Sequence, residues 1–415
     1  MLPASSAYPS NIYNVDTSDD DDMEPMVNTR VGRTIHRSYI GRRVGCSQPV
    51  LVALFIISGF VFLFFQMAGM MPKRPVLTGP PSFAWAPNVS RNISAYVRPT
   101  VTTALMQPEN FCQDDPFLVF VVPSAINNTK QRDTIRRTWG QWAGCGPSPP
   151  SSIDEGADSQ GTTKKKSVLA KMMVAPPKTS KLVFLLGKSK GDQPISETLQ
   201  EESFRYGDLI IEDFIDSYTN LTLKTVFMLK WVHRNCPTVK FVMKVDDDIF
   251  VNVVNLQKTL LNQTITKTPL LMGSLICGAK PIHDQWSKWY TPQYMFREGK
   301  YPNYLSGTGY VYSGDLVERL FKAALAAPYF HLEDVFLTGL CARSIGVRPV
   351  DNVGFSYHPR AVSPCLFKEV IMGHGVGPST MVKLWNMLNE PATVAKCHPI
   401  KKSKLRSYNP KCSWR

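Results

Sequence analysis

Three adjacent carboxylates, Asp246, Asp247 and Asp248, close the apolar, β-prone run Phe241-Val242-Met243-Lys244-Val245. Negative charges this close repel one another, and a cation between them relieves the repulsion. Hard carboxylate oxygens suit magnesium or manganese, commonly shared with a substrate phosphate. A solvated acidic turn would carry the same three letters, so the surrounding elements must decide between the two readings.

Those elements alternate. Phe117 to Val122 and Lys181 to Leu186 read as buried strands, and Leu209 to Ile211 as a short one. Thr129 to Trp139 and Glu197 to Tyr206 read as helices, and another starts from a cap at Asp216 or Ser217. Along that last helix Leu223, Val226, Phe227 and Trp231 make an apolar face, and Pro237 lies just past its end. Trp139 and Trp231 are expected in the core. The alternation predicts an α/β sandwich with a mixed, mainly parallel central sheet. Ligands of such sheets bind beyond the carboxyl ends of the strands, where the three aspartates stand. Residues 145–178, rich in Pro, Ser, Gly and Lys, read as a surface insertion.

The chain has 415 residues and a formal charge of +14, with its basic residues spread along its length. Nucleic acid is therefore not an expected partner. One basic cluster, Arg30 to Arg43, precedes Val50–Met71, a stretch without a charge and long enough to span a bilayer. The asymmetry predicts a signal-anchor with a cytosolic, disordered tail over 1–49 and everything after it outside the cytosol. Residues 72–111 read as a Pro, Ser and Thr-rich stem, 112–390 as the folded domain, and 391–415 as a basic tail with two cysteines. Five sequons, at Asn88, Asn92, Asn127, Asn220 and Asn262, all follow the anchor. Eight cysteines do too, which suggests disulfides in an oxidising compartment without fixing their pairing. Cys46 stands alone before the anchor.

Read together, the motifs from Val119 to Leu388 resemble the β-1,3-glycosyltransferase family of Golgi enzymes. They run in order from Arg132-Asp133-Thr134-Ile135-Arg136-Arg137-Thr138-Trp139-Gly140 through Phe184-Leu185-Leu186-Gly187 to Asp213-Phe214-Ile215-Asp216-Ser217-Tyr218 and Asn220-Leu221-Thr222-Leu223-Lys224-Thr225. Lys244 to Asn252, Tyr301-Pro302, Ser306-Gly307-Thr308-Gly309-Tyr310 and Glu333-Asp334-Val335-Phe336 complete the set. The resemblance implies a GT-A type nucleotide-binding fold behind a single transmembrane helix, in a type II protein of the Golgi membrane with a lumenal catalytic domain. It implies inverting transfer of a hexose, galactose first, from a UDP-sugar to an acceptor hydroxyl in β-1,3 linkage on a glycoprotein or glycolipid. Manganese is the implied cofactor, with magnesium as the alternative, and a homo-oligomer is compatible. A UDP-N-acetylglucosamine enzyme and a catalytically decayed carbohydrate-binding protein are the competing readings.

The same resemblance distributes roles. Asp248 binds the metal, helped by a later histidine, His374 by position with His358 as the rival. Asp246, Asp247, Lys244 and Asp213 face the donor. Arg132 and Arg136 share one helical face, and one or both reach the donor pyrophosphate or uracil. Asp334 matches the base that takes the acceptor proton, and Glu333 is its neighbour. Tyr301, Gly307, Gly309 and Glu333, with Lys288-Trp289-Tyr290, form the acceptor side. One departure stands out: Gly339 comes one residue later after Asp334 than the family pattern has it.

Overall fold

The computed structural model describes residues 90–143, 179–189, 194–263, 269–406 and 412. The expected cytosolic tail, anchor and insertion lie outside these residues, as do Asn88 and Cys145. Among the described residues no helix is long and apolar enough to cross a membrane.

The chain opens with α1 (Ile93–Val97) and β1 (Ala104–Met106), followed by β2 (Leu118–Pro123) and α2 (Thr129–Arg137). Then come β3 (Ser180–Lys188), α3 (Glu197–Tyr206), β4 (Leu209–Ile215), α4 (Leu221–Asn235) and β5 (Phe241–Val245). After β5 come β6 (Phe250–Val251), α5 (Val253–Gln263), β7 (Leu271–Ile276), β8 (Tyr304–Ser313) and α6 (Asp315–Ala326). The C-terminal part holds β9 (Val350–Asp351), α7 (Pro364–Glu369), β10 (Met372–Gly373), α8 (Pro378–Asn389) and α9 (Pro391–Ala395).

Eight strands form one sheet in the order β1-β4-β3-β2-β5-β8-β7-β9. The centre, β4-β3-β2-β5, is parallel. β1 joins it antiparallel to β4, and β8 antiparallel to β5. Each central strand is buried on both faces, so its residues alternate between two cores. Val119, Val121, Val183, Leu185 and Val242 point to one. Leu118, Phe120, Phe184, Leu186 and Met243 point to the other. The four apolar positions of α4 all lie in the first core. Trp139 fills the second, edge-on to Phe120 at 5.6 Å between ring centres.

The strand order reverses between β2 and β5. From β2 the chain winds outward through β3 and β4, then returns to place β5 on the other side. A reversal of this kind leaves a crevice at the carboxyl ends of β2 and β5. The three aspartates occupy one lip of it.

Three expectations are revised. Residues 90–111 are not all stem: Ile93 and Val97 are fully buried, and β1 extends the sheet. Lys230 ties this segment down by donating to the Val97 carbonyl and the Thr103 hydroxyl. Asp216 does not cap α4, which begins at Leu221 after a 3-10 turn. Its carboxylate instead pairs with Lys224 at 2.7 Å and accepts from the Gly187 amide. Among the eight cysteines after the anchor, six form the bonds Cys112–Cys236, Cys277–Cys412 and Cys365–Cys397, while Cys341 is a buried thiol. Burial pushes that thiol up to about 12, so it stays protonated and inert. The bonds from Cys397 and Cys412 staple the basic tail to the domain, and Arg406 adds a two-pronged ion pair with Asp351.

The late Gly339 has a local explanation. Val335–Cys341 is π-helical, and a π turn holds one residue more than an α turn. Gly339 then comes to lie against Pro302 and Tyr304, where an added Cβ would sit 3.1–3.2 Å from their carbons.

A sharper constraint stands where β8 meets α6. A Cβ on Gly314 would lie 1.9 Å from the Val239 carbonyl oxygen, a backbone atom at the entrance to β5. Gly314→Ala must therefore move one strand end against the other. Thermal unfolding of this variant is expected several degrees below wild type, as for a core overpacking of about 1–3 kcal/mol. An unchanged midpoint would show that this junction yields freely.

Candidate active site

The apolar strand β5 ends at Val245, and the three aspartates that follow turn to three different partners. Asp246 accepts a 2.6 Å bond from the Lys244 ammonium. Asp247 accepts from the Ser124 hydroxyl at 2.7 Å and the Asn128 amide at 2.8 Å, both in the loop after β2. Asp248 faces His374, the residue after the short strand β10, with 3.5 Å between Oδ2 and Nε2. The structure thus brings the loops of β2, β5 and β10 to one point through the triplet itself.

Lys244 lies beneath this lip and is buried. Its ammonium also donates to the Gly307 carbonyl and lies 3.9 Å from Glu333. Burial alone would lower its pKa, but Asp246 and Glu333 overrule it and the net shift is upward. Lys244 is therefore a permanent cation committed to protein partners. It braces the aspartates from behind rather than facing out of the crevice.

Gly307 carries the connection across β8. Its carbonyl receives Lys244, and its N–H points to Asp334 Oδ2 at 3.3 Å. The other oxygen of Asp334 accepts from the Val335 amide at 2.8 Å, which caps the π-helical segment. Burial pushes the Asp334 carboxyl above the usual range, while the Val335 and Gly307 amides and Lys244 pull the other way. A Cβ at Gly307 would come within 3.2 Å of Glu333 and 3.3 Å of Asp334, so a side chain there would crowd both. Glu333 points inward and accepts from the buried Tyr310 hydroxyl at 2.6 Å. Of the acidic pair, Asp334 is the half-buried member and Glu333 a core strut.

His374 is oriented for a cation. Its Nδ1 lies 2.8 Å from the Tyr357 carbonyl, which can only accept. Nδ1 therefore carries the proton, and the Nε2 lone pair is left facing Asp248. One carboxylate and one imidazole nitrogen suit manganese, and carboxylate oxygen also suits magnesium. Burial, followed by Asp246, raises the Asp248 carboxyl, whereas His374 works to lower it. Among the described residues no group of three or more His, Cys, Asp or Glu side chains forms a ready cage. A cation held by this pair would leave positions for substrate oxygens.

Other expected residues lie behind the crevice. Arg132 is fully buried and paired with Glu202, and Arg136 is paired with Glu202 and Asp208. Neither guanidinium is placed at an open surface. Asp213 pairs with Lys188 and Arg98, each at 2.7 Å, and Lys188 lines a cavity of about 650 Å³ beside Asn127 and Thr129. Tyr301 is buried, its hydroxyl 2.7 Å from Thr291, and Gly309 packs against Met372. Asn92, Asn127 and Asn262 are exposed. Asn220 is not: it is buried, its amide donates to the Ile215 carbonyl, and Thr222 of its sequon is fully buried. The fold leaves no room for a glycan there.

One residue stands at the site without having been singled out. Tyr218, in the turn before α4, has a half-exposed ring. Burial of its hydroxyl, followed by the charges of Asp334 and Asp246, pushes its pKa up, while a hydrogen bond with Trp289 pulls the other way. The signal was present only as one letter of a motif; its contact with a loop seventy positions away was not. Trp286 and Trp289, each about half exposed, extend this aromatic lip.

Comparison with known proteins points to one family. The Galactosyltransferase family model matches residues 161–353. The chain is 35% identical over 283 residues to "Beta-1,3-galactosyltransferase 1" of Homo sapiens and of Mus musculus, covering 68% of this chain and 77% of those. It is 34% identical over 300 residues to "Beta-1,3-galactosyltransferase 5" of Homo sapiens, covering 71% and 86%. A solved 4-diphosphocytidyl-2C-methyl-D-erythritol synthase of Anaerococcus prevotii overlaps at a TM-score of 0.32 and 13% identity, covering 67% of this chain and 98% of that one. That overlap is too slight to bear on fold or function.

A base must be ionised to accept a proton. With the folded pKa of Asp334 raised by burial, a turnover that used this carboxylate as base would be full above that pKa and lost as pH falls through it. The kcat–pH profile at saturating substrates is expected to show an acid limb above the ordinary aspartate value of about 4. A profile flat down to that value would exclude Asp334 as the titrating base.

Proposed function

From the premise that the chain belongs to the β-1,3-galactosyltransferase family and is a hexosyltransferase, we propose that it moves galactose from UDP-galactose to a sugar hydroxyl in β-1,3 linkage, with inversion. The observation that carries the reading is Gly307. Its N–H meets Asp334 and its carbonyl meets Lys244, which holds Asp246, so a carboxylate placed to take a proton and a carboxylate triplet suited to a nucleotide–cation complex are linked through one residue.

The acceptor hydroxyl donates to Asp334 and, as its oxygen attacks the anomeric carbon, passes its proton to that carboxylate. The bond from the anomeric carbon to the phosphate oxygen breaks in the same displacement, and UDP leaves with the electron pair. Attack opposite the leaving group inverts the centre. Asp248 and His374 would hold a divalent cation, manganese or magnesium, whose chemistry when bound is to stabilise charge on the departing diphosphate. Asp246 and Asp247, fixed by Lys244 and by Ser124 with Asn128, face the donor. The cavity beside Asn127, with Lys188 on its wall, suits the nucleoside, and Asp213 orients that lysine. Tyr218, Trp286 and Trp289 offer aromatic faces to the acceptor sugar.

The setting is proposed as the Golgi lumen, in a type II membrane protein acting on a glycoprotein or glycolipid. Exposed sequons at Asn92 and Asn262 and three disulfides support an oxidising, glycosylating compartment.

A donor panel on the detergent-solubilised full chain tests the reading. UDP-galactose, UDP-N-acetylglucosamine and UDP-glucose are offered with manganese and a panel of acceptor glycans, followed by linkage analysis. Transfer from UDP-galactose, a β-1,3 product, loss of activity with EDTA and recovery with added manganese are expected. Transfer from UDP-N-acetylglucosamine alone would overturn the donor assignment.

A further inference from the structure

The loop Ser124–Asn128 leaves β2 at the switch point and carries both side chains that hold Asp247. Its Ser124 N–H still donates to Leu185 of β3 and its Ala125 carbonyl accepts from the Asn128 N–H, but its carbonyl groups draw on further donors. Two buried cations supply them. Lys224 donates to the Ser124 carbonyl at 2.8 Å. Arg132 donates to the Ala125 carbonyl at 2.6 Å and to the Ile126 carbonyl at 3.1 Å, and its Nη1 lies 3.4 Å from the Ser124 hydroxyl. The same guanidinium is gripped from behind by Glu202, through Nε at 2.7 Å and Nη2 at 2.7 Å. Such a two-pronged pair fixes the plane and the direction of the fork.

We propose that Glu202 is a positioning residue for the donor side: through Arg132 it sets the loop that presents Ser124 and Asn128 to Asp247. The inference rests on the donor role given above to the aspartate triplet. A plain structural reading would have Glu202 merely tie α3 to α2. Against it stands the use of the remaining guanidinium N–H groups, which go to the loop and to the Thr129 hydroxyl directly after it. The same network contains a built-in comparison. Asp208 makes an equally buried two-pronged pair, with Arg136, whose guanidinium stacks over Tyr206 at 4.0 Å. No hydrogen bond from Arg136 reaches the loop among the described contacts.

The two carboxylates can therefore be compared in the full chain, solubilised in detergent with manganese present. Glu202→Gln keeps the shape but turns one of the two acceptors toward Arg132 into a donor. It is expected to raise the UDP-galactose KM and the UDP Kd about tenfold, the usual range for a support behind a ligand-holding group. The acceptor KM should stay within about twofold. Asp208→Asn is expected to lower the unfolding midpoint as much as Glu202→Gln does and to leave the donor KM unchanged. Arg132→Lys, which cannot reach both loop carbonyls and Glu202 together, should reproduce the donor-selective effect if Glu202→Gln fails to fold. In a double variant, Ser124→Ala added to Glu202→Gln should cost less than the product of the two single effects. Equal donor effects from Glu202→Gln and Asp208→Asn, or a loss spread evenly over donor and acceptor, would overturn the proposal. A wild-type protein that does not bind UDP at all would overturn the donor reading as well, and so be told apart from failure of this inference alone.

Discussion

A lysine ammonium without water is expensive to bury, and Lys244 is buried because three groups surround it: Asp246 above, the Gly307 carbonyl beside it and Glu333 below. Each of those partners belongs to a different piece of the molecule. Asp246 follows β5, Gly307 lies in β8, and Glu333 precedes the π-helical segment. The antiparallel pairing of β5 with β8 puts Lys244 opposite Tyr310, so the ammonium can reach under the loop that follows its own strand. Remove the cation and the remaining carboxylates, Asp246, Glu333 and Asp334, would face one another with little solvent between them. The site can hold its density of negative charge because this one positive charge sits at its centre.

Around that centre the labour is divided by topology. The switch between β2 and β5 opens the crevice, and the loops at its edges are held from behind by buried ions rather than by secondary structure. The lip that carries the aspartates is thus braced although it is made of loops. The lip around Asp334 is built differently. Tyr218, Trp286 and Trp289 present aromatic faces on short turns, and Asp334 stands at the first turn of a π-helical segment whose spare residue lets Gly339 pack against Pro302 and Tyr304. One side is suited to a fixed nucleotide sugar, the other to apolar faces of varied glycans.

Much of this was legible in the order of residues. Continuous apolar runs marked β2, β3 and β5 because strands buried on both faces need no polar alternation. The triplet at the end of β5 located the crevice, and the motif order located Asp334. Partners were harder. Nothing in the spacing of Arg132 and Arg136 tells whether a guanidinium faces a ligand or a carboxylate seventy residues on, and Glu202 and Asp208 turned the answer inward. Asp216 looked like a cap because caps are local, whereas its real partner, Lys224, depends on how a 3-10 turn delays the helix. Asn220 is a sequon by letter, but burial of its amide is a property of the packed chain. Residues 90–111 lack a clear apolar pattern, and what orders them is contact with α4, which only the fold supplies.

The central claim is that the donor and proton-taking halves are separate groups joined through Gly307, and a calorimetric titration of UDP in manganese on Asp334→Asn, read beside its turnover, tests it most directly. UDP affinity within about twofold of wild type, together with turnover lowered by about 10²–10⁴-fold, is the predicted result. Near-normal turnover, or loss of UDP binding along with it, would contradict the division on which the account is built.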